Sequence, residues 1–363
     1  MSGTQAQAQE EREEQEREQE RAELRDTVRA VLARHHGHTA WAPLTAKVGA
    51  AALAVPEECG GLGRRAAEVA VVMAELGRAL SPVPYLGSAV LTAGALTVAG
   101  DPGPVPGTCR GWPRARWWAR SPGRRPPAGR PPTSAHGPSR PVPRGCSTGR
   151  SGTCRPARPS LVLAFARAAD TGRLGLFELT AAPARFTVRS TLDRTRPLAE
   201  LTLDRTPARL VSPDGAAVLA RVRDLACTAL AAEQVGAAER ALEVTVRYAQ
   251  DRVRFGRPIG SFQAVKHRLA DMRTAVETAR ALARAAAAAG APPRLAAAAK
   301  SACSQAFSYV AGEMIQLHGG IGITWEHEAH AFFKRAHGSA LLLGAPAAHR
   351  ARLAADLGFT ETG

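Results

Sequence analysis

The chain keeps its most chemically capable side chains in two short stretches. The first runs from Tyr248 to Leu269 and reads Tyr-Ala-Gln-Asp-Arg-Val-Arg-Phe-Gly-Arg-Pro-Ile-Gly-Ser-Phe-Gln-Ala-Val-Lys-His-Arg-Leu. Arg252, Arg254 and Arg257 crowd a turn made by Gly256, Pro258 and Gly260, and Ser261 stands where a helix N-cap is expected. Guanidinium forks beside a fresh helix N-terminus suit an anionic phosphate group, because both offer N–H donors to oxygens. Taken alone, the same residues would also describe a helical hairpin with a solvated basic corner. The second stretch, Gln316-Leu-His-Gly-Gly-Ile-Gly322, carries a glycine pair that by itself would read as a helix stop.

The spelling of the two stretches is more specific than their composition. Arg252-x-x-Phe255-Gly256-x-Pro258-Ile259-Gly260-x-Phe262-Gln263 resembles the flavin-contacting signature of the acyl-CoA dehydrogenase family, and Gln316-Leu-His-Gly319-Gly320-Ile-Gly322 resembles its second, downstream signature. Pro56-Glu-Glu-x-Gly60-Gly61-x-Gly63 is similar to a turn in the family's N-terminal domain. The resemblance implies FAD as cofactor, with Arg252, Phe255 and Gln263 reaching it across a subunit interface and Gln316, Gly319 and Gly320 at its ADP part. It also implies α,β-dehydrogenation of an acyl-CoA thioester, a tetramer, and an electron-transfer flavoprotein as acceptor.

The family's base is a glutamate, and here the resemblance gives none. The two places where members carry it, downstream of the second motif and on the first helix of the C-terminal bundle, read Leu343 and Ala226, and neither side chain can accept a proton. Glu326 aligns with a glutamate that members do not use as base, Glu328 has no such counterpart, and no catalytic residue is assigned. The chain resembles the sterol-degrading branch of the family, in which a non-catalytic subunit forms mixed tetramers with a paralogue that brings the glutamate. Three readings are therefore carried: an FAD-dependent acyl-CoA dehydrogenase, a catalytically silent partner subunit, and the inactive product of a frameshifted gene.

The elements that must position these residues are mainly helical. Residues 1–22 are Glu, Gln, Arg and Ala with no apolar stripe and are expected to be a frayed, charged, low-complexity tail. Residues 23–102 read as an N-terminal α-helical domain, with Leu24, Val28, Val31 and Leu32 on one face of its first helix. Residues 161–212 hold short strand-like runs at 161–165, 174–177, 186–188 and 201–203, the latter part of a small, incomplete antiparallel β domain. Residues 213–363 predict a four-helix bundle, with Pro293 at a helix N1 position and Gly290 and Gly319 as stops.

Between them, residues 103–160 break every periodicity. They contain twelve Arg, thirteen of the 26 Pro, and no Lys, Asp or Glu, so this one segment carries twelve of the chain's sixteen net positive charges. An Arg/Pro-rich linker stacking Trp and Arg on nucleic acid is one reading. Codons made only of G and C encode only Gly, Ala, Arg and Pro, so a GC-rich gene read out of frame gives the same composition, and we take that reading with no nucleic-acid partner. The six cysteines show no C-x-x-C pair and no metal-ligand spacing. No apolar run reaches the roughly 18–20 residues of a membrane span, so no membrane partner and a cytoplasmic location are expected.

Overall fold

The computed structural model describes residues 3–100, 161–168, 171–180, 185–203 and 206–359. The first helix, α1 (Gly3–Arg34), is unbroken through the stretch expected to fray. Ala, Glu, Gln and Arg are strong helix formers, and the missing apolar stripe is offset by charge pairing. Arg17 meets Glu13 one turn earlier at 2.9 Å, while Arg21 reaches Glu68 at 3.1 Å and Glu20 meets Arg64 at 2.8 Å. Helices α2 (Trp41–Val48) and α3 (Ala66–Arg78) follow, and a π-helical turn at Leu86–Thr92 runs into α4 (Ala93–Ala99). Val28, Val31, Leu44, Val72, Met73, Leu76 and Leu96 form the core of this part.

Three strands, β1 (Leu163–Arg167), β2 (Leu174–Leu179) and β5 (Ala208–Ser212), pair antiparallel in the order β1-β2-β5. A separate antiparallel hairpin joins β3 (Arg185–Arg189) to β4 (Leu198–Thr202). Strand β5 was not expected from sequence, because Ala-Arg-Leu-Val-Ser offers two apolar residues side by side instead of alternation. Leu163 and Leu176 pack into the helical core with Val218 and Val222, whereas Val162, Phe177, Leu179 and Ala208 form a second, smaller cluster. The reading of residues 103–160 falls outside the described residues.

The C-terminal part contains α5 (Gly215–Asp251), α6 (Gln263–Ala288), α7 (Pro293–His318), α8 (Ala329–Leu341) and a short further helix, α9 (Pro346–Asp356). Pro293 opens α7, and Gly319 and Gly290 follow their helices with φ of +62° and +74°. Ser261 is not the cap of α6: that position belongs to Phe262, and the Ser261 hydroxyl donates instead to the Pro258 carbonyl at 2.7 Å. Ala231, Ala279, Ala283, Ala286 and Ala299 line the α5–α6–α7 seam, where small side chains let helices pack closely. Gly77 on α3 and Gly236 on α5 bring backbones into contact, since a Cβ on either would lie 2.0 Å from a carbonyl oxygen of the other helix. Among the described residues no helix is long and apolar enough to cross a membrane.

Candidate functional site

The first signature folds as a two-residue hairpin. Strands β6 (Val253–Arg254) and β7 (Arg257–Pro258) pair around Phe255 and Gly256, whose φ angles of +52° and +75° are both left-handed. Such a turn follows the right-handed twist of its strands, but it strains a non-glycine residue, so Phe255 is held at a conformational cost. Its ring is 94% exposed. The hairpin is closed just past the end of α5, with Ile259 N–H donating to the Arg252 carbonyl at 2.8 Å. Gly260 lies so close to the Ala249 carbonyl that a Cβ would stand 3.0 Å from it. Arg257 stacks over the Phe262 ring at 4.0 Å, whereas Arg252 is exposed and forms no ion pair within the described residues.

The second signature sits at the same end of the bundle. Tyr248, in the last turn of α5, stacks on His318, the last residue of α7, with ring centroids 4.2 Å apart, and its hydroxyl donates to the His318 carbonyl at 3.3 Å. His327 closes the cluster 4.3 Å from His318. Arg252, Phe255, Gln263, Gln316, Gly319 and Gly320 are therefore all solvent-facing residues of one bundle end. A Cβ on Gly319 or Gly320 would meet nothing within 4 Å. For Gly320, whose φ is not left-handed, no packing among the described residues calls for a glycine, so an open approach for an outside group is what it leaves. These residues fit a group with an anionic middle and a flat end. His318 was missed as a structural element of this site. Its Nδ1 is 2.7 Å from the Met314 carbonyl, while Nε2 is buried without a partner among the described residues, and burial pushes its pKa below the usual histidine value.

A second cluster lies between the helical parts and the strands. Arg335 on α8, 1% exposed, bridges Glu233 on α5 at 2.7 Å and Asp193 in the β3–β4 connection at 2.9 Å, and it donates to the carbonyls of Leu80 and Ser81. Arg196 pairs with the other oxygen of Glu233. Burial by itself would raise the Glu233 carboxyl, but the two guanidiniums outweigh it and hold its pKa below the usual carboxylate range. A largely apolar cavity of ≈ 90 Å³ adjoins this network, lined in part by Met73, Leu76, Arg196, Glu233 and Leu343. Leu343 adopts a left-handed φ of +63°, and Ala226 is fully buried in the core. The carboxylate on the cavity wall is thus Glu233, which sequence reading had passed over. As the partner of two arginines it is a poor proton acceptor.

Behind Leu343 a lysine is buried with no acid paired to it among the described residues. The Lys300 ammonium donates to Ser304 Oγ at 2.9 Å, the Ala340 carbonyl at 3.1 Å and the Gly344 carbonyl at 3.3 Å, so it closes the C-terminal end of α8. Burial pushes its pKa down to about 8 from 10.5. Folding therefore disfavours this proton: the penalty is fully present below about pH 8 and is relieved as pH rises from there toward the unfolded value. At about 1.4 kcal/mol per pH unit it amounts to on the order of 3 kcal/mol. The stability difference between wild type and Lys300→Met, measured by urea unfolding, should shift in favour of wild type by on the order of 1 kcal/mol or more between pH 7 and 10. A pH-independent difference would show that the ammonium is not buried as described.

A helical N-terminal part, an antiparallel β layer and a helical bundle whose end displays both flavin-type signatures define a family architecture, and comparison agrees. Residues 7–102 match the acyl-CoA dehydrogenase N-terminal domain and residues 214–358 the acyl-CoA dehydrogenase C-terminal domain. The chain belongs to the acyl-CoA dehydrogenase family, whose members are oxidoreductases. It is 38% identical over 349 residues to acyl-CoA dehydrogenase IpdE2 of Mycobacterium tuberculosis, covering 90% of this chain and 93% of that protein. Among solved structures it is similar to the ChsE4-ChsE5 complex from Mycobacterium tuberculosis, with a TM-score of 0.81, 26% identity and coverage of 94% and 98% of the two chains. It is also similar to the Tcur3481-Tcur3483 steroid ACAD, with a TM-score of 0.73, 28% identity and the same coverage.

Proposed function

We propose that the chain is the flavin-holding subunit of a heteromeric, cytoplasmic acyl-CoA dehydrogenase, and that a paralogous subunit in the same tetramer brings the catalytic carboxylate. The assembly desaturates the α,β bond of an acyl-CoA thioester and passes the electrons to an electron-transfer flavoprotein. The observation that carries this reading is the apolar character of both expected base positions, Leu343 and Ala226, together with the engagement of Glu233 by Arg196 and Arg335. Two relatives of known structure have paired names, ChsE4-ChsE5 and Tcur3481-Tcur3483, which supports a partner; the second is called a steroid enzyme, which favours a ring-bearing acyl group.

In this reading Arg252 grips the pyrophosphate of FAD, Phe255 and Gln263 lie at its adenine or ribose, and Gln316 holds the ADP part where Gly319 and Gly320 let the backbone approach. The chemistry FAD supplies when bound is acceptance of the β-hydrogen as hydride. Phe255 sits on the exposed tip of the hairpin, so its ring reaches a flavin shared with a neighbouring subunit and not one inside its own bundle. The test is expression alone and together with a neighbouring paralogue. The pair should be yellow and reduce an artificial electron acceptor at least about 100-fold faster than this chain alone, the usual range for loss of a general base. Full activity from this chain by itself would remove the proposal, as would a colourless, inactive pair.

A further inference from the structure

The turn between α8 and α9 is held by side chains from the helices around it. Leu343 has a left-handed φ of +63°, which strains a residue that carries a Cβ, and Gly344 follows at +112°. On the α7 side, the Lys300 ammonium holds the carbonyls of Ala340 and Gly344, and the Ser301 hydroxyl donates to the Pro346 carbonyl at 3.3 Å. The Leu343 carbonyl is taken by His349 of α9, a residue 3% exposed, whose Nε2 lies 3.2 Å away. A carbonyl only accepts, so Nε2 carries the proton and Nδ1 is bare. Nδ1 is buried with no hydrogen-bond partner among the described residues. A Cβ on Gly344 would stand 3.1 Å from Nε2, so the glycine is what lets the imidazole reach the turn.

The charges facing this imidazole are already committed. Lys300 faces it from α7, Arg352 from α9, and Arg223, Asp224 and Cys227 from α5, with the Cys227 sulfur 4.0 Å from Nε2. Arg352 and Arg223 share the Asp224 carboxylate at 2.7 and 3.3 Å, and Arg350 turns away to the Ser301 hydroxyl at 3.4 Å. Burial pushes the Cys227 thiol up to about 11, so it supplies no anion. Three cations therefore surround one carboxylate. A proton on Nδ1 would add a fourth buried positive charge, with neither an anion nor an acceptor to meet it. Burial first, then Lys300 and Arg352, push the His349 pKa down to about 4 from 6.5.

We propose that His349 is a positioning residue that seats Leu343 on the cavity wall, and that taking up a proton makes it leave the Leu343 carbonyl and let the turn open. Opening gives the imidazolium water at both nitrogens and frees Leu343 from its strained angle. The latched state has the lower pKa, so the hold is complete above the ordinary histidine value of about 6.5 and is lost as pH falls through about 4. Lys300, with a pKa of about 8, stays charged across this range and keeps the far side of the turn in place. This inference goes beyond the proposed function and needs neither flavin nor a partner subunit, so either can fail without the other.

The test is amide hydrogen exchange of the full chain between pH 7 and 4.5, followed by mass spectrometry and corrected for the intrinsic pH dependence of exchange. The reporters are the protected amides of Gly344, Ala348 and His349, which donate to the carbonyls of Leu341 and Ala345. In wild type their opening constant should rise by roughly 50-fold over this range, as one proton is bound on opening. His349→Gln keeps a neutral N–H donor for the Leu343 carbonyl, so it should match wild type at pH 7 and change by less than about threefold at pH 4.5. His349→Ala removes the donor and should exchange faster than wild type at pH 7, with no further rise in acid. Wild-type protection that does not change with pH would overturn the proposal. An acid response of His349→Gln equal to that of wild type would assign the release to another group, Asp224 first, and would overturn it too. So would His349→Ala protected like wild type at pH 7, or an acid rise shared equally by peptides of α5 and α6, which reports unfolding of the whole bundle.

Discussion

Replacing Arg335 by Ala should cost about 3–5 kcal/mol of stability, the range for removing one partner of a buried ion pair. The guanidinium lies 1% exposed between three parts of the chain, bonded to Glu233 of α5, to Asp193 and Thr195 beside the strands, and to the Leu80 and Ser81 carbonyls after α3. Truncation takes the guanidinium from Asp193, leaves Glu233 with Arg196 alone and strands two carbonyls out of water at once, which is why the expected loss far exceeds that of a surface pair. The effect has a pH signature. The folded pKa of Glu233 is depressed, so its contribution is fully present above the usual carboxylate value and is lost as pH falls through the lower folded value. With Arg335 gone the depression shrinks, and the contribution of Glu233 should be smaller and vanish at a higher pH. Urea unfolding at neutral pH and acid titration followed by circular dichroism read both effects. A loss below about 1 kcal/mol would place the pair in the surface class and refute the network as described.

Arg252→Ala should instead leave stability nearly untouched, within about 0.5 kcal/mol, and lower the affinity for FAD by about 10- to 100-fold. The first half follows from structure, because Arg252 is exposed on the hairpin and pairs with no acid among the described residues. The second follows from the charge-assisted bond assigned to it, worth about 1.5–3 kcal/mol, at 1.4 kcal/mol for each factor of ten. Arg252→Lys should recover part of the loss, since a point charge replaces the guanidinium but its paired donors are gone. Fluorescence titration of the stripped, assembled protein with FAD gives the constants. A variant that holds flavin as tightly as wild type would move the pyrophosphate away from this residue.

Much of the helical part was legible because its signals are local. Pro293 at N1 and Gly290 and Gly319 after helix ends act within one turn of chain, and the structure places the helices accordingly. Where neighbouring signals were weak or misleading, reading failed. The first 22 residues lack an apolar face in sequence, yet propensity and ion pairs to Glu68 and Arg64 keep residues 3–22 helical. Ser261 has the side chain of a cap but is spent on Pro258, and the cap position goes to Phe262. Strand β5 escaped because a short edge segment needs only partners, not a pattern. Lys300 could have been flagged, since it interrupts the apolar Ala-rich face of α7.

By itself the sequence determined the two signatures, the identity of the residues that can meet a phosphate, and the absence of a proton acceptor at positions 226 and 343, because these are properties of side-chain type and spacing. Only the tertiary structure decided that both signatures share one end of the bundle, through Tyr248 stacked on His318 seventy residues later. It alone decided that Glu233 is held by Arg335 from 102 residues away, and that a cavity keeps Ser81 and Arg196 on its wall. Helix periodicity and capping act over three or four residues, whereas burial and ion pairing depend on which distant segments the fold brings within a few ångströms, and that information is not written in any local run of residues.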